Sequence, residues 1–517
     1  MKPPGELEPR RQPRHLRLWQ RPLWRSTAAL SAVALVNRMA GMAYRALLAR
    51  LAGAEPLGLF ELTAPWRRIA WLTATLELPI ALSQLVAAAG ARRDHHRALD
   101  AARYTLRILL GTTLLTSLLL WTLLSLGGGR LLADRRAQGA LDMYPLVLLP
   151  AVLASWIRAF LQGYQSMIPT ALAQLVEQLA RVPAVLFLVS LLLPEGAARV
   201  AQGIMIGSAI GEAADLFTLL FLVRRRRAGL PSGIDPTSGA GFIPGRSRRP
   251  SRRASRLPPV PEPSPVGRGL FRLALPLVAA HVYASLFQIA YLAVIPRRLV
   301  AAGVPGHEFT RFYGQMNGMV FPLLYFPMVL INPLVRVLLP ATAAAWERGD
   351  HRRLRRLLSL SLSTALALGL IVLTGATTFA TPIVTLLYGM EQAGAARLLS
   401  LLAWAAPLAF VYHILMAVLN GLGRTAPGFV ILIVSSLLRL GVAYHLVADP
   451  AWGLDGIIIA ILADDAISVA LAALALALVL RALPPSLPVK PAPPSPARLS
   501  PLRASGRNVQ RPLSPRR

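Results

Sequence analysis

The chain of 517 residues contains no cysteine, and only Lys2 and Lys490 of its 55 basic residues are lysines. The absence of cysteine excludes disulfides and thiolate metal sites. Charged residues make up only 15% of the chain, against roughly 25% in an ordinary soluble domain, whereas 55% of the residues are hydrophobic. No Walker-type phosphate loop is present, which argues against direct ATP coupling. This composition is typical of a membrane protein.

Acidic residues are also scarce, with 23 Asp and Glu against 55 Lys and Arg, so the net charge is +32. Much of the excess lies outside the apolar stretches, in residues 1–26, 224–268 and 481–517. These segments lack the regular interleaving of basic and aromatic residues that base stacking uses, so no nucleic-acid partner is predicted. We expect them instead to attract anionic membrane lipids.

Long apolar stretches recur along nearly the whole chain, and each can cross about 30 Å of hydrocarbon. The sequence therefore predicts an all-α polytopic membrane protein with about twelve transmembrane helices. The predicted spans are residues 27–49, 60–89, 104–126, 143–162, 168–193, 200–223, 270–300, 311–341, 357–387, 397–420, 427–447 and 454–481. With an even number of spans the most basic loops and both termini share one face, which the positive-inside rule assigns to the cytoplasm.

The two halves of the chain read as copies of one six-helix unit. Six positions in the first half recur at a constant offset of 258 residues, which predicts two pseudo-symmetric lobes in the same orientation. The matched positions are Leu161, Gly163, Pro169, Val176, Leu179 and Arg181 with Leu419, Gly421, Pro427, Val434, Leu437 and Arg439. The predicted segments are a basic tail (1–26), an N-lobe (27–223), a disordered basic linker (224–268), a C-lobe (269–483) and a disordered Pro-rich tail (484–517).

Arginines inside the apolar stretches are the main candidates for substrate binding. A charge at the bilayer centre costs about 2.5–3.5 kcal/mol on the most lenient scale. Arg38 and Arg45 lie seven residues apart on one helix face, Arg297 and Arg298 end the seventh span, and Arg439 is the repeat mate of Arg181. A guanidinium fork suits phosphate oxygens. Snorkelling of Arg45 and interfacial anchoring by Arg297 and Arg298 remain open alternatives.

Four intramembrane acids are candidates for ion coupling. Glu212 and Asp465 match in the last helix of each repeat, with Asp464 beside the latter. Glu177 precedes Arg181 by four residues, a spacing that favours a self-neutralising helix pair. Since buried carboxylates can carry protons, coupling to protons or Na⁺ is a hypothesis for these acids. No resident metal or cofactor is predicted.

Several motifs resemble those of the stage V sporulation protein B family, which belongs to the MATE-like superfamily of multidrug and polysaccharide transporters. The matching stretches are Asn37–Leu59, Leu78–Ser83, Gln174–Val182, Ile295–Leu299, Tyr313–Leu323, Glu347–Asp350 and Leu419–Arg424. The resemblance implies a flippase of lipid-linked sugar pyrophosphates in the bacterial cytoplasmic membrane, acting in peptidoglycan or spore-cortex synthesis with two rocking lobes. Glu77, Gln84 and Tyr291 depart from the family's pattern.

Two other functions stay open. A multidrug cation antiporter of the same fold would be expected to have an acidic, aromatic cavity, whereas the predicted site is cationic. A membrane-embedded glycan polymerase would be expected to have a large loop on the outer face. The longest such loop here covers only about residues 126–141. The sequence sets no oligomeric state, and a monomer is consistent with it.

Overall fold

The structure is a computed structural model that describes residues 39–92, 94–127, 132–228 and 266–481, with side chains for all of these except 226–228 and 266–277. Within these ranges the chain forms helices and no strand. The α-helices are α1 (39–52), α2 (Ala54–Leu62), α3 (Ala64–Thr75), α4 (Leu78–Ala91), α5 (His95–Ser125), α6 (Gln138–Asp142), α7 (Tyr144–Gly163), α8 (Met167–Leu192), α9 (Ala197–Ala228), α10 (Val266–Ala301), α11 (Gly306–Gly314), α12 (Phe321–Leu324), α13 (Met328–Glu347), α14 (His351–Thr378), α15 (Ala380–Tyr388), α16 (Gly394–Leu402), α17 (Ala405–Gly421), α18 (Ala426–Leu446) and α19 (Asp455–Arg481).

Ten helical stretches of the described chain are long and apolar enough to cross a membrane, and an eleventh results if α16 and α17, bent by 41°, are one span. This confirms the predicted all-helical polytopic class. The first predicted span is described only from residue 39 onward. The predicted linker and both tails lie largely outside the described residues, so those segment boundaries stay predictions.

The second predicted span begins earlier than expected, at Ala54, and is broken twice. Leu76 and Glu77 both adopt left-handed φ angles, 48° and 52°. Pro79 fits the second break, because a proline lacks the amide hydrogen that would continue the helix from α3. It stands in the first turn of α4, where that hydrogen is not needed. The break turns Glu77 toward α10, where its carboxylate lies 3.5 Å from Nδ1 of His281.

The predicted span 311–341 is also divided. Gln315–Val320 forms a π-helix between α11 and α12, and α13 begins only after a turn at residues 325–327. Pro322 and Pro327 accompany these interruptions, since each removes a backbone donor. A π-helix of this length is rare and often marks a functional segment.

Both repeats cap their third long helix in the same way. Asp94 accepts a hydrogen bond from the Arg97 amide at 3.0 Å, and Asp350 accepts one from the Arg353 amide at 2.9 Å. An aspartate N-cap satisfies amides that the helix leaves open. The two caps lie at one end of the bundle, hereafter the basic face, and α2 and α11 begin at the opposite face.

The two halves of the chain meet closely at the opposite face, where α2 packs on α11. Glycines make the approach possible: a Cβ atom on Gly58 would collide with the Thr310 carbonyl, and one on Gly314 with the Ala54 carbonyl. Arg50 of α1 adds a contact by donating to the Leu386 carbonyl at 2.5 Å. The structure is thus closed between its halves at the opposite face.

Replacing Gly314 by alanine should open this closure, because the added methyl overlaps backbone that cannot yield and overpacking costs about 1–3 kcal/mol. Spin labels can be placed on L126C and M390C, exposed positions of the two halves at the opposite face. The mean distance between the labels should be longer in Gly314→Ala than in the same labelled protein with Gly314. The chain has no cysteine, so no background label interferes. Gly375→Ala is the matched control because nothing lies within 4 Å of its added Cβ. An unchanged distance in Gly314→Ala would contradict the expected role of this crossing.

Candidate functional site

Two adjoining cavities lie beneath the closure. The first has a volume of about 800 Å³ and is lined mainly by α1, α2, α3, α7, α8 and α9. The second, of about 440 Å³, is lined mainly by α10, the α11–α12 segment, α18 and α19. Glu61, Ala64 and Arg68 line both. The cavities therefore form a continuous path from one half of the chain to the other.

Four arginines line the first cavity: Arg45, Arg67, Arg68 and Arg181. Only Glu61 and Glu212 among its lining residues are acids. Arg45 reaches Glu61 at 3.6 Å, and 46% of the arginine side chain is exposed. The arginines outnumber the acids, so the first cavity is cationic and suits an anionic ligand.

Arg67 is held in place by an aromatic ring and a carbonyl. Its guanidinium lies 4.1 Å from the centroid of the Phe60 ring and donates to the Phe60 carbonyl at 3.5 Å. A cation over an aromatic face is stabilised by the quadrupole of the ring. Its Nε–H has no hydrogen-bond partner within the described chain. Arg67 also interacts electrostatically with Glu61, Arg45 and Arg68, which places these four charges in one cluster.

Arg181 combines the predicted helix pair with a place in the cavity wall. Glu177 pairs with it at 2.7 Å, while the guanidinium lies 5.8 Å from the centroid of the Tyr44 ring. Gly211 of α9 passes directly against the Arg181 side chain, where any Cβ would collide. This close approach positions Glu212, the next residue of α9, at the cavity wall.

The second cavity differs in chemistry, because it is rich in aromatic and amide side chains. Arg439 pairs with Asp464 of α19 at 3.6 Å and lies 4.6 Å from the centroid of the Tyr291 ring. Asp465 also lines this cavity, and its Oδ2 has no hydrogen-bond partner among the described residues. The C-terminal wall thus carries two carboxylates beside a single arginine.

An ionic network reinforces the closure at the opposite face. Arg136 bridges Asp134 at 2.8 Å and Glu55 at 2.6 Å, and Thr310 of α11 donates to Asp134 at 2.9 Å. Burial alone would raise the pKa of Asp134, but side-chain and backbone hydrogen bonds from Arg136, with the bond from Thr310, hold that pKa below its ordinary value. The carboxylate therefore stays ionised and keeps the halves tied together at neutral pH.

The comparisons with known proteins agree with this architecture. A family model described as polysaccharide biosynthesis protein matches residues 23–234, and the MatE model matches residues 319–445. Stage V sporulation protein B of Bacillus subtilis is 26% identical over 476 residues, covering 90% of this chain and 85% of that protein. Lipid II flippase MurJ of the same organism is 23% identical over 433 residues, covering 81% of this chain and 76% of that protein.

Among solved structures, an inward-facing multidrug resistance MATE transporter of the MOP superfamily superposes with a TM-score of 0.64 at 16% identity, covering 87% of this chain and 96% of that chain. The chain therefore has the fold of that MATE transporter. It is a multi-pass membrane flippase or transporter and not an enzyme. The glycan polymerase alternative is thereby set aside.

The structure brings only some of the predicted site residues together. Arg45, Arg439, Glu212, Asp464 and Asp465 line the cavities. Arg38 lies outside the described residues.

Three other predicted residues lie elsewhere. Glu177 does not line either cavity and pairs with Arg181. Arg297 and Arg298 also lie outside both linings. Arg298 lies 4.6 Å from the centroid of the Tyr444 ring near the end of α10, a position that fits the anchoring alternative.

Sequence reasoning gave too little weight to three residues. The predicted span 60–89 places Glu61, Arg67 and Arg68 near its start, and none of the three is among the predicted site residues. The helical stretch begins at Ala54 instead, and all three line the first cavity. Counting from the Gly53 turn, which has a φ of 80°, would have placed all three within the membrane.

Substituting Asp134 by Asn should weaken the closure at neutral pH, since the neutral amide loses the ion pair with Arg136. The distance between labels on L126C and M390C would then increase. A carboxylate whose pKa is lowered in the folded state contributes its full stability at pH values above its ordinary pKa. That contribution is lost only as the pH falls through the lowered pKa of the folded state. The wild-type distance should therefore stay constant from neutral pH down to about pH 5. Asp100→Asn, an exposed aspartate near an arginine at the basic face, should behave as wild type. A wild-type distance that already lengthens near pH 6 would show that another group holds the closure.

Proposed function

We propose that this transporter flips a lipid-linked sugar pyrophosphate, with the pyrophosphate held by the arginines of the first cavity. The observation that carries the proposal is the excess of cationic groups there: Arg45, Arg67, Arg68 and Arg181 against two acids. A pyrophosphate must leave water before it can cross the bilayer. Guanidinium groups fixed in a cavity replace part of that hydration with charge-assisted hydrogen bonds.

Two of these arginines have room for a ligand. Arg68 is exposed and makes no ion pair within the described chain. The Arg45–Glu61 contact, at 3.6 Å, is longer than a charge-assisted hydrogen bond. Arg38 belongs to the proposed set because it precedes Arg45 by seven residues and so shares its helix face. Arg439 extends the set into the second cavity.

We propose that the basic face is cytoplasmic and that both termini lie there, in a bacterial cytoplasmic membrane. The closed opposite face then makes this conformation the one that loads from the cytoplasm. Peptidoglycan-type precursors are the proposed cargo, since the two curated relatives are a sporulation protein and a lipid II flippase. Transport would follow when the halves separate at α2 and α11.

Coupling to protons or Na⁺ is proposed through the cavity carboxylates. Glu212 in α9 and Asp465 in α19 occupy equivalent repeat positions and each lines a cavity, and Asp464 lies beside Asp465. Glu177 is a weaker candidate, because it is already paired with Arg181 at 2.7 Å.

One observation favours a second candidate function, the export of organic cations. The second cavity contains aromatic rings together with Asp464 and Asp465, the chemistry expected of a cation site. Arg439 opposes this function, because it lies against Asp464 and would repel a cation.

The deciding experiment is flipping of a fluorescent lipid-linked sugar pyrophosphate in proteoliposomes. Arg45→Gln and Arg68→Gln should each slow flipping at subsaturating substrate by about tenfold or more, since a hydrogen bond to a charged group contributes roughly 1.5–3 kcal/mol. Arg38→Ala should act in the same direction. Arg107→Gln, an exposed arginine of α5 outside both cavities, is the matched control. Wild-type protein that flips no lipid but exports a cationic dye would move the assignment to the second candidate.

Neutralising the coupling carboxylates should separate transport from the ion gradient. Asp465→Asn and Glu212→Gln are the test substitutions, each close to isosteric, and flipping is measured with and without an imposed proton or Na⁺ gradient. We expect at least one of them to abolish the stimulation by the gradient while basal flipping persists. Asp449→Asn, outside the apolar helices, is the control. Full gradient dependence in both variants would refute coupling through these two residues.

A further inference from the structure

We propose that the second cavity is a carbohydrate subsite that holds the sugar of the substrate while the first cavity holds its pyrophosphate. This inference rests on the proposed function and specifies where each part of the headgroup binds. It comes from the aromatic and amide lining of the second cavity, which the arginine cluster does not explain.

Two aromatic walls face each other across the second cavity. On α10, Tyr283, Phe287 and Tyr291 follow at intervals of four residues and so share one helix face. Their rings form a chain, with centroid distances of 6.4 Å and 6.3 Å. The opposing wall comes from the α11–α12 segment and the turn that follows it, with Phe309, Tyr313, Phe321 and Tyr325.

Not all of these rings are available to a ligand. Tyr291 and Phe309 are only 2% exposed and support the walls from behind. Phe287 and Phe321 are partly exposed and line the cavity. An aromatic face carries partial negative charge and the C–H bonds of a pyranose face are weakly positive, so the two stack favourably.

Polar groups around the rings supply the partners that sugar hydroxyls need. Gln288 and Asn317 line the cavity. Within the described part of the chain, the Gln288 amide donates to the Tyr313 hydroxyl and the Asn317 amide to the Tyr313 carbonyl, both over a long distance of 3.3 Å. The carboxylate of Asp465 and the hydroxyl of Ser435 also belong to the lining. Amides, a carboxylate and hydroxyls next to exposed ring faces form a lining suited to a neutral, many-hydroxyl ligand.

Other occupants fit this lining less well. An acyl chain would leave the amides of Gln288 and Asn317 with only their long bonds to Tyr313 and would place the Asp465 carboxylate against hydrocarbon, which is costly. An organic cation would meet Arg439, whose guanidinium lies in the same lining 3.6 Å from Asp464. A glycan tolerates both signs of charge, since its hydroxyls donate and accept.

The position of the second cavity matches the covalent order of the substrate. It joins the arginine cavity at Glu61, Ala64 and Arg68, so a sugar on the terminal phosphate of a bound pyrophosphate would extend into it. Its volume of about 440 Å³ lies within the range of about 300–1,000 Å³ typical of small-molecule sites.

The test compares two probes in equilibrium binding to the full-length protein in detergent. One is a short-chain polyprenyl pyrophosphoryl-N-acetylglucosamine, and the other is the same polyprenyl pyrophosphate without the sugar. Wild-type protein should bind the sugar-bearing probe about tenfold more tightly. Phe287→Leu and Phe321→Leu keep apolar bulk but remove the π face, so each should cut that preference severalfold and leave the affinity for the sugar-free probe unchanged. Phe287→Tyr, which keeps the ring, should restore the preference.

The control is Phe187→Leu, an exposed phenylalanine of α8 outside both cavities, which should behave as wild type. Equal wild-type affinity for both probes, or an equal loss for both in the Phe→Leu variants, would overturn the carbohydrate subsite alone. Arg45→Gln should weaken the binding of both probes to a similar extent. Wild-type protein that binds neither probe would overturn the proposed function as well. If that protein binds a cationic dye instead, the second cavity is assigned to cations.

Discussion

The constraint on which the rest of the structure depends is the cost of arginine inside the apolar thickness of the bundle. Four described arginines there each meet a carboxylate: Arg45 with Glu61, Arg158 with Asp215, Arg181 with Glu177 and Arg439 with Asp464. A buried charge without compensation is strongly destabilising. Pairing makes the individual helices tolerable in a membrane. Arg67 and Arg68 make no ion pair within the described chain and both line the first cavity, where they can act on a ligand.

The internal repeat is symmetric in fold and asymmetric in charge. Arg181 finds its acid on the same helix, but the matching position before Arg439 is Ser435, so Arg439 draws Asp464 from α19 instead. Glu177, which pairs with Arg181, lies outside the cavity lining, whereas Asp464, which pairs with Arg439, lies within it. This exchange places a carboxylate in the wall of the second cavity and contributes to the difference in charge between the two cavities. The proposed binding of pyrophosphate in the first cavity and of sugar in the second makes use of that difference.

Much of this arrangement was predictable, and the limits have physical causes. Hydropathy predicts the helices well because the bilayer fixes their length, and the repeat predicts the equivalent positions of Glu212 and Asp465. The depth of a residue within the membrane and the direction of its side chain were harder to predict. Arg67 and Arg68 lie near the start of a span predicted from residue 60, whereas the helical stretch begins at Ala54. Arg297 and Arg298, predicted to bind substrate at the end of the seventh span, lie outside both cavities. Which face of a helix borders a cavity depends on its neighbours, and α10 turns Arg298 toward Tyr444.

The divided span predicted at 311–341 connects the closure to the cavities. Its α11 portion packs by glycine on α2 at the opposite face, and the π-helix Gln315–Val320 continues directly from it. Gly318 and Pro322 then line the first cavity, while Asn317 and Phe321 line the second. A single segment therefore closes one face and forms part of both walls. If α11 leaves α2, the walls must move with it, so the state of the closure and the shape of the headgroup site cannot change independently.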